Sequence, residues 1–273
     1  MQANRAWIPP AGPLGRLSAA AAARAHDLEK RSADLRDRAK DAPTRASFAA
    51  ALRRTDVAVV AEVKRRSPSK GVINAGLDAA AQASAYARGG AAALSILTEP
   101  TEFGGSAQDL ADARAATTLP TLKKDFHVHP VQVLEARAIG ASALLLIARA
   151  LRPDDLRAMA DRASELGVEV VVEVRSEEEL ERAITITHAI IGVNSRDLET
   201  LVIDPAITSH LIPMIPADRL AIAESGVSAR LDVERAAGAG ADAVLVGSTV
   251  SASSDPTGAV AALTGVARML RAG

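Results

Sequence analysis

A chain of 273 residues, 48% hydrophobic and 24% charged, has the balance of a globular protein with a sizeable core, and its formal net charge of -1 offers no global field to nucleic acid or an anionic lipid surface. Aromatics at 2% provide too few stacking platforms for single-stranded nucleic acid, and the absence of Cys excludes disulfides, thiolate catalysis and Cys-ligated zinc or iron–sulfur clusters. No apolar run is long enough to span a membrane, and the opening MQANRAWIPPAGPLGRL lacks a signal-peptide apolar region, so a soluble cytoplasmic protein is expected.

In chain order, residues 1–56 stand apart as a helical extension packing on the main domain. SAAAAARAHDLEKRSADLRDRAKD reads as one polar-faced helix and TRASFAAALRR as a second. Two positions are open for the extension: a cap that plugs one end of the main domain, or a lid over its active face.

From Val57 the pattern changes. Eight short apolar runs, VAVVAEV, AALSILT, PTLKKD, SALLLIA, VEVVVEV, AIIGVN, LAIAES and DAVLVG, alternate with helix-like segments such as DLADARAAT, HPVQVLEARAIG, PDDLRAMADRASELG and SEEELERAI. Pro153-Asp154 and Ser176 open helices, while Gly140 and Gly167 close them. Strands alternating with helices imply parallel βαβ units, and near-continuous apolar strands suit a sheet buried on both faces. Eight units over residues 57–273 predict an α/β fold, a (β/α)8 TIM barrel with extra N-terminal helices. The alternative is a doubly wound open sheet, which often carries a Gly-rich nucleotide turn after its first strand. Here that strand runs into KRRSPSKG, with no G-x-G-x-x-G.

In such a barrel the chemistry lies at the C-terminal ends of the strands. The first ends with Glu62 and Lys64, two apart and therefore on one face. The second runs into LTEPTEFGGS, with Phe103. The third ends in KKDF, Lys123 to Phe126, and alternation alone does not choose between Lys123 and Lys124. Glu173 ends the fifth, Asn194 the sixth, Glu224 the seventh, and GST, from Gly247, the eighth. Carboxylates and ammoniums gathered at one dry rim stabilise one another and are placed for proton transfer. Ser225-Gly226 and Gly247-Ser248 fall in the two loops where many barrels bind phosphate through backbone N–H groups, which implies a phosphorylated small-molecule substrate. His127 and His129, in HVHP, are two apart on a loop with no third ligand in view, so they are expected to face solvent and no metal is expected. His188, at the start of the sixth strand, is expected to be structural.

AEVKRRSPSKG, Ala61 to Gly71, closely resembles the E-x-K-x-x-S-P-S-x-G loop of the indole-3-glycerol-phosphate synthases. The resemblance continues through ALSILTEPTEFGGS, LKKDF, VVVEV, GVNSRDLETL, AESGVS and AVLVGS, and it extends to the N-terminal helices. Phosphoribosylanthranilate isomerase, a barrel of the same pathway with a similar phosphate site, looks different: it lacks the SPS loop and needs a catalytic Cys. The resemblance implies a carboxy-lyase of tryptophan biosynthesis. It would close the ring of 1-(2-carboxyphenylamino)-1-deoxyribulose 5-phosphate to give indole-3-glycerol phosphate, carbon dioxide and water, without a metal or redox cofactor. It implies Lys124 as general acid, with Lys64 sharing that role or contacting the substrate carboxylate or phosphate, and Glu173 as base of the dehydration. Glu62 would set the lysines' charge. Asn194 and Glu224 would hold the sugar hydroxyls and anilino nitrogen. Ser67 would belong to a mobile loop, Ser225, Gly226, Gly247 and Ser248 would cradle phosphate, and Phe103 and Phe126 would line the aryl pocket. It places the N-terminal helices over the active face and leaves association with other enzymes of the pathway open. TEPTEFGGS departs from the commonest form of its loop, which has two aromatics and an Asn or Gln before GS. The rival from another class is a non-catalytic barrel that binds a phosphometabolite. It would not need Lys124 and Glu173 together.

Overall fold

The computed structural model describes residues 7–43 and 45–271. The first six residues of the extension, Thr44 at the start of the expected second helix, and the last two residues of the barrel segment lie outside the described part. Eight strands close a barrel: β1 (Ala58–Val63), β2 (Ala93–Leu97), β3 (Thr121–Lys124), β4 (Ala143–Ile147), β5 (Glu169–Val174), β6 (Ile190–Asn194), β7 (Ala221–Glu224) and β8 (Ala243–Val246). Each pairs in parallel with its sequence neighbours, and β1 pairs with both β2 and β8 to complete the circle. All eight apolar runs are strands, and the open-sheet alternative is excluded by closure. No helix among the described residues is long and apolar enough to cross a membrane.

The expected helices after β2, β3, β4 and β5 form at Ala107–Ala116, Pro130–Ala138, Pro153–Glu165 and Glu177–Ile184. Ser176 caps the last of these, its Oγ accepting from the Glu179 N–H at 3.2 Å. Gly140 and Gly167 follow their helices at φ of +76° and +68°.

Alternation divides the strand residues into two cores. Val59, Ala61, Leu94, Ile96, Leu144, Leu146, Val170, Val172, Ile191 and Val193 face outward to the surrounding helices. Val60, Leu122, Leu145, Val171, Ile190, Ile222 and Leu245 fill the barrel interior. The interior sequence of each strand, continued upward by two residues, reaches the mouth: Val60 leads to Glu62 and Lys64, Leu122 to Lys124, Val171 to Glu173, Ile222 to Glu224 and Leu245 to Gly247.

The extension is split between the two ends. Its helices are α1 (Gly12–Glu29), α2 (Ser32–Asp41) and α3 (Phe48–Leu52). The single helix expected over residues 18–41 breaks at Lys30–Arg31. The break lets α2 fold back: α1 lays Leu14, Leu17 and Ala21 on the interior cluster, while its Ala25 joins Leu35 and Ala39 of α2 against Val131 and Leu134 of the helix after β3. The α1 backbone reaches the loop after β6, with the Leu14 N–H donating to the Leu198 carbonyl at 3.0 Å. At the opposite end, Phe48 and Leu52 of α3 are fully buried with Ala58, Ala93, Ala143 and Ala243, the first residues of four strands. Glu169, which opens β5, accepts from Ser47 Oγ at 2.6 Å and from the Ala49 N–H at 2.8 Å. The extension therefore supplies both a lid and a plug.

Truncating the plug tests this packing. Phe48→Ala is expected to lower unfolding stability by about 3–5 kcal/mol in denaturant titrations, because the strand-start alanines around it are too small to fill the space.

Candidate active site

Glu62, Lys64, Ser67, Phe103, Lys124, Phe126, Glu173, Asn194, Glu224, Ser225, Gly226, Gly247 and Ser248 all line one cleft at the C-terminal mouth, with a volume of about 340 Å³, and Pro13 and Leu17 border it from α1. The size suits a small metabolite.

Lys124 is the centre of its charge. Its Nζ donates to Glu173 Oε2 and to Glu224 Oε2, both at 2.8 Å. Beside this triad, Lys64 Nζ donates to Glu62 Oε1 at 2.6 Å, and Ser95 Oγ donates to Glu62 Oε2 at 3.3 Å. Three carboxylates thus surround two ammoniums, one negative charge in surplus. Burial works to lower the Lys124 pKa, but Glu173, then Glu224 and Glu62, outweigh it and hold the ammonium above its ordinary value. Glu224 carries the surplus. Burial first, then the Glu173 and Glu62 charges, raise its carboxyl from an ordinary 4.5 to about 7 against the pull of Lys124. Its Oε1 is buried with no hydrogen-bond partner among the described residues.

Two glycines make this charge cluster sterically possible. A Cβ on Gly192, in β6, would lie 2.2 Å from Glu224 Oε1. A Cβ on Gly247 would lie 2.3 Å from Glu62 Oε1 and 2.6 Å from Lys64 Nζ. Gly247, expected to let a phosphate approach the backbone, thus first makes room for the Glu62–Lys64 pair.

The structure separates the two adjacent lysines. Lys123 points outward into the helix layer, where its Nζ lies 3.1 Å from Glu135 and 3.5 Å from Asp125. His127 is a correction. Expected to face solvent, it is buried, its Nδ1 2.6 Å from the Leu145 carbonyl and its Nε2 3.1 Å from Lys123 Nζ. Burial, followed by the Lys123 charge, pushes its pKa down to about 3, so the ring is neutral. With the ammonium donating to Nε2, Nδ1–H donates to the carbonyl. Residue 127 turns inward because the loop after β3 folds back against β4. His129 instead caps the following helix, accepting from the Val131 N–H at 3.3 Å. His188 is exposed, with Nε2 3.2 Å from the Ala160 carbonyl.

The loops complete the cleft. After β1 the chain makes a short hairpin, Arg66–Ser67 against Gly71–Val72, anchored by Arg65, which grips Asp109 with two contacts of 2.7 Å. The atypical TEPTEFGGS loop brings Phe103 against Phe126, their ring centroids 6.2 Å apart and tilted by 38°. Ser225 and Gly226 both take left-handed backbone conformations, at φ of +64° and +79°, and turn the chain sharply at the end of β7. Gly247 caps a one-turn helix, Ser248–Ser251. Arg196 and Lys70 also line the cleft. Sequence reasoning passed over both, though each lies within a motif it quoted, because nothing in a loop's spacing shows which way a long cationic side chain turns.

The charge surplus has a measurable consequence. Between pH 4.5 and about 7 the folded protein holds a proton on Glu224 that the unfolded chain releases, so this group's contribution falls as pH rises through that window. Glu224→Gln is expected to remove that slope and to stabilise the protein above the window by up to about 3 kcal/mol relative to the parent. Denaturant unfolding of both proteins across the window checks it, and parallel curves would contradict it.

Comparison with known proteins identifies the family. The family model described as "Indole-3-glycerol phosphate synthase" matches residues 15–263. The chain is 47% identical over 230 residues to the indole-3-glycerol phosphate synthase of Mycolicibacterium smegmatis, covering 84% of this chain and 85% of that one. It is 51% identical over 208 residues to that of a Nocardioides species, covering 76% and 80%. Among solved structures, a thiamine phosphate pyrophosphorylase from Pyrococcus furiosus aligns with a TM-score of 0.56 at 16% identity, over 76% of this chain and 93% of that one, a likeness of fold alone. The chain belongs to the indole-3-glycerol phosphate synthase family.

Proposed function

We propose that this protein is a carboxy-lyase that converts 1-(2-carboxyphenylamino)-1-deoxyribulose 5-phosphate to indole-3-glycerol phosphate, carbon dioxide and water. The observation that carries the reading is Lys124, held between Glu173 and Glu224 at 2.8 Å from each, in a cleft with a two-phenylalanine wall. In this reading residues 1–56 are the extension that covers and plugs, and residues 57–273 form the catalytic barrel.

The substrate carries an aryl carboxylate at one end and a phosphate at the other. The aryl ring lies against Phe103 and Phe126. The phosphate lies against Ser225, Gly226, Gly247 and Ser248, and Lys64, Lys70 and Arg196 supply cationic charge to the two anionic ends. The aryl carbon that bears the carboxylate attacks the ketone carbon, and Lys124 gives a proton to the ketone oxygen as negative charge develops there. Two carboxylates beside Nζ keep Lys124 charged until that moment, so the acid is always loaded. The C–carboxylate bond then breaks, its electron pair restores the aromatic ring, and carbon dioxide leaves. Lys64 then gives a proton to the new hydroxyl, which departs as water while Glu173 removes a proton from the new ring, and the indole double bond remains. Glu62 holds Lys64 in place, Asn194 and Glu224 hold the sugar hydroxyls and anilino nitrogen, and Ser67 belongs to the hairpin that closes over the substrate.

The purified chain, given this substrate, is expected to produce indole fluorescence together with carbon dioxide; neither appearing would reject the reading. Lys124→Ala and Glu173→Gln should each lower kcat by about 10²–10⁴-fold with a smaller change in KM. A normal kcat with a raised KM would make that residue a binding group instead. Gly247→Ala should cost on the order of 10²-fold in kcat/KM by displacing Glu62 and Lys64. Steady-state kinetics of the variant checks this, and an unchanged value would show that the pair relaxes freely.

A further inference from the structure

The two phenylalanines of the cleft are each held by a buried carboxylate in their own loop. Glu99, fully buried, accepts from the Thr101 N–H at 3.0 Å, the Glu102 N–H at 2.7 Å and the Phe103 N–H at 3.0 Å. Asp125 accepts from the Phe126 N–H at 2.8 Å and from Thr98 Oγ1 at 2.8 Å. Among the described residues, one side chain is within ion-pair distance of both carboxylates. Arg24, on α1, donates from Nη2 to Asp125 Oδ1 at 2.6 Å, and its Nη1 lies 3.5 Å from Glu99 Oε1. Arg24 follows Leu17, which borders the cleft, by two helical turns, so both lie on the same stripe of α1. We propose that Arg24 is a positioning residue that couples the lid to the aryl slot, setting the separation of Phe103 and Phe126 and so the fit of an ortho-substituted aromatic ring.

The two carboxylates differ in what else they have. Asp125 also has the Lys123 ammonium at 3.5 Å, whereas among the described residues Arg24 is the one cation within ion-pair distance of Glu99. Without Arg24, Glu99 becomes a buried carboxylate with only backbone donors, and such a group relaxes toward water and takes its loop with it. Phe103 moves and Phe126 stays, because the Phe126 carbonyl is held separately by Gln132 Nε2 at 3.0 Å. The phosphate end lies on β7 and β8, which Arg24 does not touch. Loss of Arg24 therefore acts on one end of the ligand and spares the other.

This inference rests on the proposed ring closure only for the identity of the ring. Turnover by the parent chain tests that reading, and the ratio of variant to parent tests Arg24. In Arg24→Met, KM and the inhibition constant for 2-aminobenzoate are expected to rise about tenfold, while the inhibition constant for inorganic phosphate and kcat stay within about threefold. Arg24→Lys, which keeps one of the two contacts, should recover part of the loss. Glu99→Gln should show the same selective loss, and the double variant should add little to either single change. If the 2-aminobenzoate and phosphate constants rise together, or if neither rises, Arg24 is only a structural tie and the proposal fails. Should Arg24→Met not fold, Arg24→Lys and Glu99→Gln decide the matter by the same two constants.

Discussion

The shared ammonium of Lys124 is the contact on which the rest of the site depends. Glu173 and Glu224 come from β5 and β7, Lys124 from β3, and only closure of the barrel brings the three together. Two buried carboxylates at that separation repel unless a cation lies between them. The same geometry over-supplies negative charge, and the surplus appears as a Glu224 carboxyl raised to about 7. A site that pairs every charge fully would be more stable and less able to move a proton. This one leaves Glu224 Oε1 without a partner among the described residues and keeps Gly192 beside it free of a side chain.

Around that centre, the barrel needs closing at both ends. The interior residues Val60, Leu122, Val171, Ile222 and Leu245 do not by themselves exclude water from the floor. Phe48 and Leu52 do so from below, with Glu169 fixing the plug by two hydrogen bonds. From above, α1 contributes Pro13 and Leu17 to the cleft and Arg24 to the loops that carry its aromatic wall. A chain with only three phenylalanines uses one for the plug and two for the cleft. The aliphatic and alanine-rich remainder suffices because parallel strands and their helices pack closely on small and branched side chains.

Much of the fold was legible in the chain itself. Eight apolar runs separated by capped, Ala-rich helices leave little besides a closed barrel, and strand ends in such a barrel locate the cleft. Where reading the chain fell short, the cause was that local pattern does not report direction. The helix expected over residues 18–41 has good helix formers throughout, and its break after Glu29 folds α2 back so that Ala25, Leu35 and Ala39 share one surface. His127 sits in a polar loop and looks exposed, yet the loop folds it against Leu145 and Lys123. Arg196 and Lys70 gave no signal of their own, since their residue type fits any solvated loop.

What the sequence by itself determined is the set of elements, their order, and which loops carry charge, because these rest on periodicity, capping and alternation along one strand. Glu62 and Lys64 share a face for that reason alone. The tertiary structure decided which face is inside. A parallel strand buried on both sides shows no polar face to read, so Lys123 and Lys124 are equivalent until the barrel closes. Closure turns Lys124 toward Glu173 and Glu224, and Lys123 toward Glu135 and Asp125. The same closure gave the extension its two places: α1 has an apolar stripe that fits the mouth, and α3 has a phenylalanine that fits the floor. Neither fit exists until eight strands stand in a ring.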